Sequence, residues 1–297
     1  MKEAIRKIEA TVGAISCERI PMIAGDHPEQ DRSEVLNPSD KEIYQMLIGK
    51  ALWTINLGRF DILFAVSSLD RYSNCPRTGH FMRILKVFGY LKKYPSRSFC
   101  VNPKIQNYSK FDKYEYSWLE QYPDAIEEIP SEAPEPLGKE IVITCHVDSD
   151  HAHDTESRWS ITGYIVVINS MPLIWYSKRQ GSVESSTYGA EFVAMRMAIE
   201  CLKGVRYWHR MLGVPMNLPC FVFGDNLAVV NNATDPASTL KKKHLGICYH
   251  LVRETVAAHV IDIYHVSSED NPANPLTKSE TQANLKIIEE VFFYSGD

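Results

Sequence analysis

The sequence predicts an α/β fold, a mixed five-stranded sheet flanked by helices and preceded by a small, mainly helical unit. Three observations point to it. Strand-like apolar runs and helical spacings follow one another downstream of residue 140 in the order β-β-β-α-β-α-α-β-α. An acidic, proline-rich stretch separates them from an upstream half with helical spacing only. Hydrophobic content of 44% and charged content of 23% sit at globular averages, and 297 residues suggest two modest domains.

Taken in order, residues 1–40 are polar and turn-rich and are expected to be irregular. Residues 41–117 carry apolar positions at helical spacing from Tyr44 through Leu57, from Ile62 to Leu69 and from Phe81 to Leu91. Residues 118–140 hold four prolines, seven acids and one lysine and read as an extended linker. In 141–292, strands are expected at 141–147, 162–168 and 172–177, with Asn169-Ser170 as a hairpin turn. A long helix should start at a Ser186-Thr187 cap and stop at Gly213, its buried stripe running through 190, 194, 197, 201, 205, 208 and 212. A strand at 220–224, a short helix from Asp225, a helix near 242–258, a strand at 260–266 and a last helix from about Pro275 complete the unit. Three antiparallel strands leading into α/β crossovers imply a mixed sheet.

Seven widely spread cysteines without a C-x-x-C pair suggest neither a disulfide framework nor a zinc finger. The N-terminus lacks the apolar core of a signal peptide, and no apolar run is long enough to cross a bilayer, so a soluble protein in a reducing compartment is expected. The net charge of −5 hides a division: thirteen Lys/Arg against four Asp/Glu from Lys41 to Lys113, and eleven against seven from Ser157 to Asp262. Two basic regions flanking an acidic stretch can bind a phosphate backbone whatever the sign of the whole.

The carboxylates then acquire meaning from where they fall. Asp148 ends the first strand, Glu191 lies in the first turn of the long helix, and Asp225 follows the fourth strand directly. If the first and fourth strands run parallel as neighbours, these acids converge on one sheet edge. Like charges that close oppose ionisation, and a divalent cation resolves the conflict. Oxygen-only ligands select Mg²⁺ or Mn²⁺ over zinc, and a pair of such ions suits in-line attack of water on a phosphodiester. A rival reading places zinc on the run H-V-D-S-D-H-A-H-D through His146, Asp150, His151 and His153.

The blocks V-D-S-D-H-A, S-x-T-G-Y, I-W-Y-S-K-R-Q, E-S-S-T-Y-G-A-E-F-V-A, G-D-N-L-A-V-V, K-K-K-H-L-G-I-C-Y-H-L-V-R-E and A-N-P-L-T-K resemble, in order and spacing, the ribonuclease H domain of copia-class LTR retrotransposon polyproteins. Upstream, Y-Q-M-L-I-G-K-A-L-W, D-I-L-F-A-V-S-S-L-D-R-Y and the run from Pro76 to Tyr94 resemble the C-terminal part of the same polyprotein's reverse transcriptase, a thumb and connection remnant. The resemblance implies a ribonuclease H-like domain over 141–292 that hydrolyses the RNA strand of RNA/DNA hybrids with two Mg²⁺ or Mn²⁺ ions on Asp148, Glu191 and Asp225. It further implies other parts of a retrotransposon polyprotein as partners, no membrane, and an intracellular setting in cytoplasm, virus-like particle or nucleus.

Two departures qualify it. The chain has no Tyr-x-Asp-Asp and no adjacent Asp pair, so no DNA synthesis is expected. In the last block the family has A-D-x-L-T-K, with the Asp as a fourth metal-site acid, where this chain has Asn274. Asn keeps one carbonyl oxygen but removes a charge, which should impair hydrolysis; Glu269 and Asp270 are candidates to compensate, and locally Asn274 also reads as an N-cap before Pro275. The alternative is a catalytically dead relic that only binds nucleic acid. Lys178, Arg179, Ser185, Ser186, Lys241, Lys242 and Lys243 match family blocks and have the chemistry to hold phosphates and 2′-hydroxyls.

Overall fold

The computed structural model describes residues 1–105, 107, 116–240 and 242–294. The upstream half contains α1 (Lys2–Val12), α2 (Pro38–Asn56), α3 (Leu63–Asp70) and α4 (Thr78–Lys93), followed by the short strand β1 (Ser98–Phe99). Helix α2 starts as its sequence dictates: Asn37 accepts the Asp40 amide at 2.9 Å as N-cap and Pro38 fills the first helical position. The first forty residues are not wholly irregular. Ile5 and Ile8 give α1 one apolar face, and both are buried.

The downstream half holds β2 (Ile143–Asp150), β3 (Ile161–Ile168), β4 (Met171–Arg179), α5 (Thr187–Met211), β5 (Cys220–Gly224), α6 (Leu227–Thr234), α7 (Gly246–Ala257), β6 (Ile261–His265), α8 (Gln282–Phe292) and β7 (Phe293–Tyr294). The element order is the expected one. Five strands form one mixed sheet in the order β4-β3-β2-β5-β6, with β2 antiparallel to β3 and parallel to β5. This is a mixed α/β architecture, one five-stranded sheet with helices on both faces. The last helix begins at Gln282, under the Thr281 cap, rather than at Pro275; residues Asn274–Leu276 make one 3₁₀ turn instead.

Alternation along the strands divides the core. Cys145, Val147, Val166, Val222 and Ile263 face α5, α6 and α7, meeting Phe192, Ala198, Leu202, Val230 and Val252. The buried face of α5 matches the expected stripe in part: Ala190, Ala194 and Val205 are buried as expected and are joined by Phe192, Met195, Ala198, Ile199 and Leu202, whereas Trp208 and Leu212 are exposed. Trp208 lies in the last turn of α5 and Leu212 is its C-cap.

The opposite face of the sheet is covered by the upstream helices and α8. Ile161, Ile165 and Val167 join Phe60, Phe64, Leu69, Val87, Ile288 and Phe292 in a single cluster, and Trp175 stacks on Phe60 at 4.9 Å. A buried polar network crosses the same contact: Arg59 and Tyr90 both bond Asp61, and Arg97 reaches Glu289 of α8 at 2.6 Å. Strands β1 and β7 pair antiparallel and close the unit.

The acidic stretch is not a free spacer. Trp118 is buried beneath the Arg253 guanidinium at 4.8 Å, Glu127 pairs with Arg206 at 2.6 Å and Arg210 at 3.0 Å, and the Leu137 amide donates to the Gly213 carbonyl at 2.9 Å. It is a strap lying along the C-terminal half of α5.

Candidate metal centre and nucleic-acid surface

The parallel pairing of β2 and β5 sets Val147 opposite Gly224, so Asp148 and Asp225, each one residue further on, emerge side by side at the carboxyl edge. Helix α5 begins beside that edge. Ser186 caps it by accepting the Gly189 amide at 3.2 Å, and Glu191 is its fifth residue, just past the first turn. One ligand atom each from Asp148, Glu191 and Asp225 can be chosen so that all lie within 4.8 Å of one another.

Asp148 and Glu191 are buried, at 3% and 7% exposure, and Asp225 is half-buried. Burial pushes the Asp148 carboxyl up to about 6, aided by Asp225 and opposed by Lys278 and the Thr277 hydroxyl. Burial together with Asp148 and Asp225 holds Glu191 well above the usual carboxylate range, again against Lys278. Carboxylates so placed repel until protons or a cation relieve them. A hard divalent cation suits the all-oxygen donor set.

A fourth group frames the site. Thr277, itself fully buried, donates its hydroxyl to Asp148 Oδ2. The loop carrying it docks tightly because Gly163, opposite Asp148 on β3, leaves the space: a Cβ there would lie 2.6 Å from Thr277 Cγ2 and 2.9 Å from Leu276 Cβ. Asn271 fastens the same loop by donating to the Val147 carbonyl at 3.0 Å.

Asn274 sits in this loop, buried, with its Nδ2 donating to the Ser268 carbonyl at 2.6 Å. The N-cap reading is overturned, since the cap position belongs to Ala273 and the Asn274 amide turns back to Ser268. Its Oδ1 is buried without a hydrogen-bond partner. An orphaned side-chain oxygen, in the loop whose Thr277 hydroxyl reaches Asp148, is consistent with a cation site. Glu269 and Asp270 are exposed and join no metal-ligating cluster among the described residues, so compensation by them is not supported.

The zinc reading fails on geometry. His146 is half-buried and stacks on Phe223 at 4.9 Å, His151 meets the Glu184 carbonyl at 2.9 Å, and His153 bonds Asp150 at 2.6 Å. Each has its own neighbour, and no His-containing cluster forms among the described residues.

Of the expected nucleic-acid contacts, Lys178 and Arg179 are exposed at the end of β4, on the same edge of the sheet as Asp148. Arg179 covers the Trp159 ring at 4.8 Å. Ser185, Ser186 and Lys242 come together at the start of α5: Lys242 Nζ donates to Ser186 Oγ and lies 3.5 Å from Ser185 Oγ. Lys243 is exposed nearby, lining a groove between α5, α7 and the strap, whereas Lys241 lies outside the described residues. The sequence reading missed Thr277, Gly163 and Lys278 as parts of the site, although all three stand inside quoted motif blocks.

Similar proteins give the context. The chain is 24% identical over 239 residues to the retrovirus-related Pol polyprotein from transposon RE2 of Arabidopsis thaliana, covering 80% of this chain and 14% of that protein. It is 21% identical over 248 residues to the Pol polyprotein from transposon TNT 1-94 of Nicotiana tabacum, covering 84% of this chain and 16% of that protein. The chain thus spans less than a fifth of the length of these relatives. No protein-family model matches. Among solved structures, RNase H1 from the archaeon Halobacterium salinarum NRC-1 overlaps 50% of this chain and 98% of its own at 14% identity, with a TM-score of 0.36. LC11-RNase H1 in complex with RNA/DNA hybrid overlaps 46% of this chain and 94% of its own at 16% identity, also with a TM-score of 0.36.

Proposed function

We propose that this chain, whose homologues over most of its length are retrovirus-related Pol polyproteins of copia-type transposons, carries a metal-dependent ribonuclease H activity toward the RNA strand of RNA/DNA hybrids. The observation that carries the proposal is the convergence of Asp148, Glu191 and Asp225 from three separate elements. Bound there, a divalent cation such as Mg²⁺ supplies a Lewis acid and an activated water for phosphodiester hydrolysis.

The chain's own residues hold and orient. Asp148, Glu191 and Asp225 are the ligands, Thr277 fixes the Asp148 carboxylate, and Asn274 offers a neutral oxygen. Lys178, Arg179, Ser185, Ser186, Lys242 and Lys243 grip phosphates beside the centre, with Lys241 proposed from its motif alone. The upstream helices are proposed as the reverse-transcriptase remnant. No helix among the described residues is long and apolar enough to cross a membrane, and the seven cysteines are free; an intracellular setting alongside other polyprotein parts is proposed on the relatives.

The neutral Asn274 favours a second reading, in which the site binds hybrids without cutting them. One assay separates the two. Incubated with Mg²⁺, the parent is expected to cleave the RNA strand of a hybrid while sparing duplex DNA, Asp148→Asn to lose cleavage but keep salt-sensitive hybrid binding, and Asn274→Asp to cleave faster by about tenfold or more. Binding without cleavage by the parent and by Asn274→Asp alike would leave only the relic.

A further inference from the structure

We infer that Trp118 and Arg253 are positioning residues for nucleic-acid binding: the strap seats the Arg253 guanidinium, which in turn holds the loop that delivers Lys242 and Lys243 to the start of α5. This rests on the proposed grip on hybrids and names what sets its shape.

Arg253 lies two turns into α7 and is only 2% exposed, yet it forms no ion pair among the described residues. A buried cation without a carboxylate needs compensation from elsewhere. Backbone carbonyls supply it: Nη1 donates to those of Asn232 and Asp235, both at 2.8 Å, and Nη2 to that of Pro236 at 2.9 Å. All three stand at or just past the C-terminal end of α6, where a helix leaves acceptors unpaired and favours positive charge.

The rest of its cover is aromatic. The guanidinium carbon lies 4.8 Å from the centre of the Trp118 ring and 4.6 Å from that of Tyr249. Trp118 is brought there by the strap, where its carbonyl accepts the Gln121 amide at 3.1 Å and the Tyr122 amide at 2.8 Å. The Tyr122 hydroxyl meets His250 Nδ1 at 2.8 Å, so the strap docks on α7 at the turn that carries Arg253.

Beyond Pro236 the loop stays tied down. The Tyr249 hydroxyl donates to the Ser238 carbonyl at 2.7 Å, and Asn232 Nδ2 donates to the Thr239 carbonyl at 3.4 Å. Asn232 is itself held by Tyr188 of α5, whose hydroxyl donates to its Oδ1 at 3.0 Å. Leu240 packs against the core, and Lys242 then sets its ammonium on Ser186 Oγ, while the Lys242 carbonyl accepts the Leu245 amide at 3.0 Å. A loop whose carbonyls are held at Asp235, Pro236, Ser238 and Thr239 transmits the seating of Arg253 to its basic end. The carboxylates of the metal centre sit on other elements and do not depend on it.

Binding of a fluorescently labelled RNA/DNA hybrid by the full chain, followed by anisotropy in EDTA from about 50 to 200 mM salt, tests this. Trp118→Leu, which fills the space without a ring, should bind about fivefold more weakly and lower the salt slope by about 1, and Trp118→Phe should restore both. Arg253→Lys, which keeps the charge and loses the fork, should behave as Trp118→Leu does. Mn²⁺ affinity, measured by calorimetry, should match the parent's in all three. Added to Lys242→Gln/Lys243→Gln, Trp118→Leu should cause no further loss, because it acts through the same two cations. Losses that multiply, hybrid affinity and slope unchanged in both Trp118→Leu and Arg253→Lys, or Mn²⁺ affinity falling in step with hybrid affinity would overturn the inference and leave the nuclease reading standing. No hybrid binding by the parent would overturn the nucleic-acid reading itself.

Discussion

At Asp148 the site depends on one hydroxyl. Thr277→Val keeps the shape of the buried side chain and removes the donor, leaving a carboxylate oxygen without its protein partner. We expect Mn²⁺ affinity to fall by about tenfold in Thr277→Val and to be retained in Thr277→Ser, measured by calorimetry. Equal affinity in all three proteins would show that Thr277 merely packs. The three acids were legible in the sequence because each falls at the start or end of an element whose period is easily read, and parallel pairing of two strands suffices to bring them together. Thr277 was not, because its partner lies 129 positions away and a threonine two residues after a proline has no local signature. Asn274 was legible as a departure from its motif but not as a side chain turned toward Ser268, since that choice is made by a loop fold no local pattern encodes.

Among the elements, the strands followed their apolar runs closely, whereas the full extent of the buried face of α5 and the start of α8 did not follow from spacing. Helix α5 has apolar residues on more than one side, so only the sheet decides which side is buried. The docking of the Thr277 loop on β3 depends on Gly163 having no side chain. Gly163→Ala is expected to cost about 2 kcal/mol by overpacking and to weaken Mn²⁺ binding with it; chemical denaturation and calorimetry check the two effects together. The strap depends on Glu127. Burial raises its carboxyl, but hydrogen bonds from Arg206 and Arg210 overcome this and hold it below its ordinary value of 4.5. A depressed acid stabilises the fold above its unfolded value and loses that contribution as pH falls through the folded one. Glu127→Gln should therefore be less stable than the parent by about 1 kcal/mol at neutral pH, with the difference fading as pH drops well below 4.5. Denaturant unfolding at the two pH values measures it.

Across the whole molecule, the upstream helices and the sheet share one core, which a division of the chain by composition does not reveal. The proline-rich strap marks a change of pattern, not a gap between independent bodies. A chain starting at residue 141 would leave Ile161, Ile165, Val167, Ile288 and Phe292 without their cover, so we expect it to bind hydrophobic dyes and aggregate where the full chain does not. With this face of the sheet covered, the carboxyl edge, with its three acids and nearby cations, is the side proposed to be functional. The most direct measurement of the central claim is anomalous scattering from Mn²⁺-soaked crystals of the full chain. The account predicts a manganese peak bounded by oxygens of Asp148, Glu191 and Asp225; ordered carboxylates with no peak between them, or manganese bound only elsewhere, would contradict it.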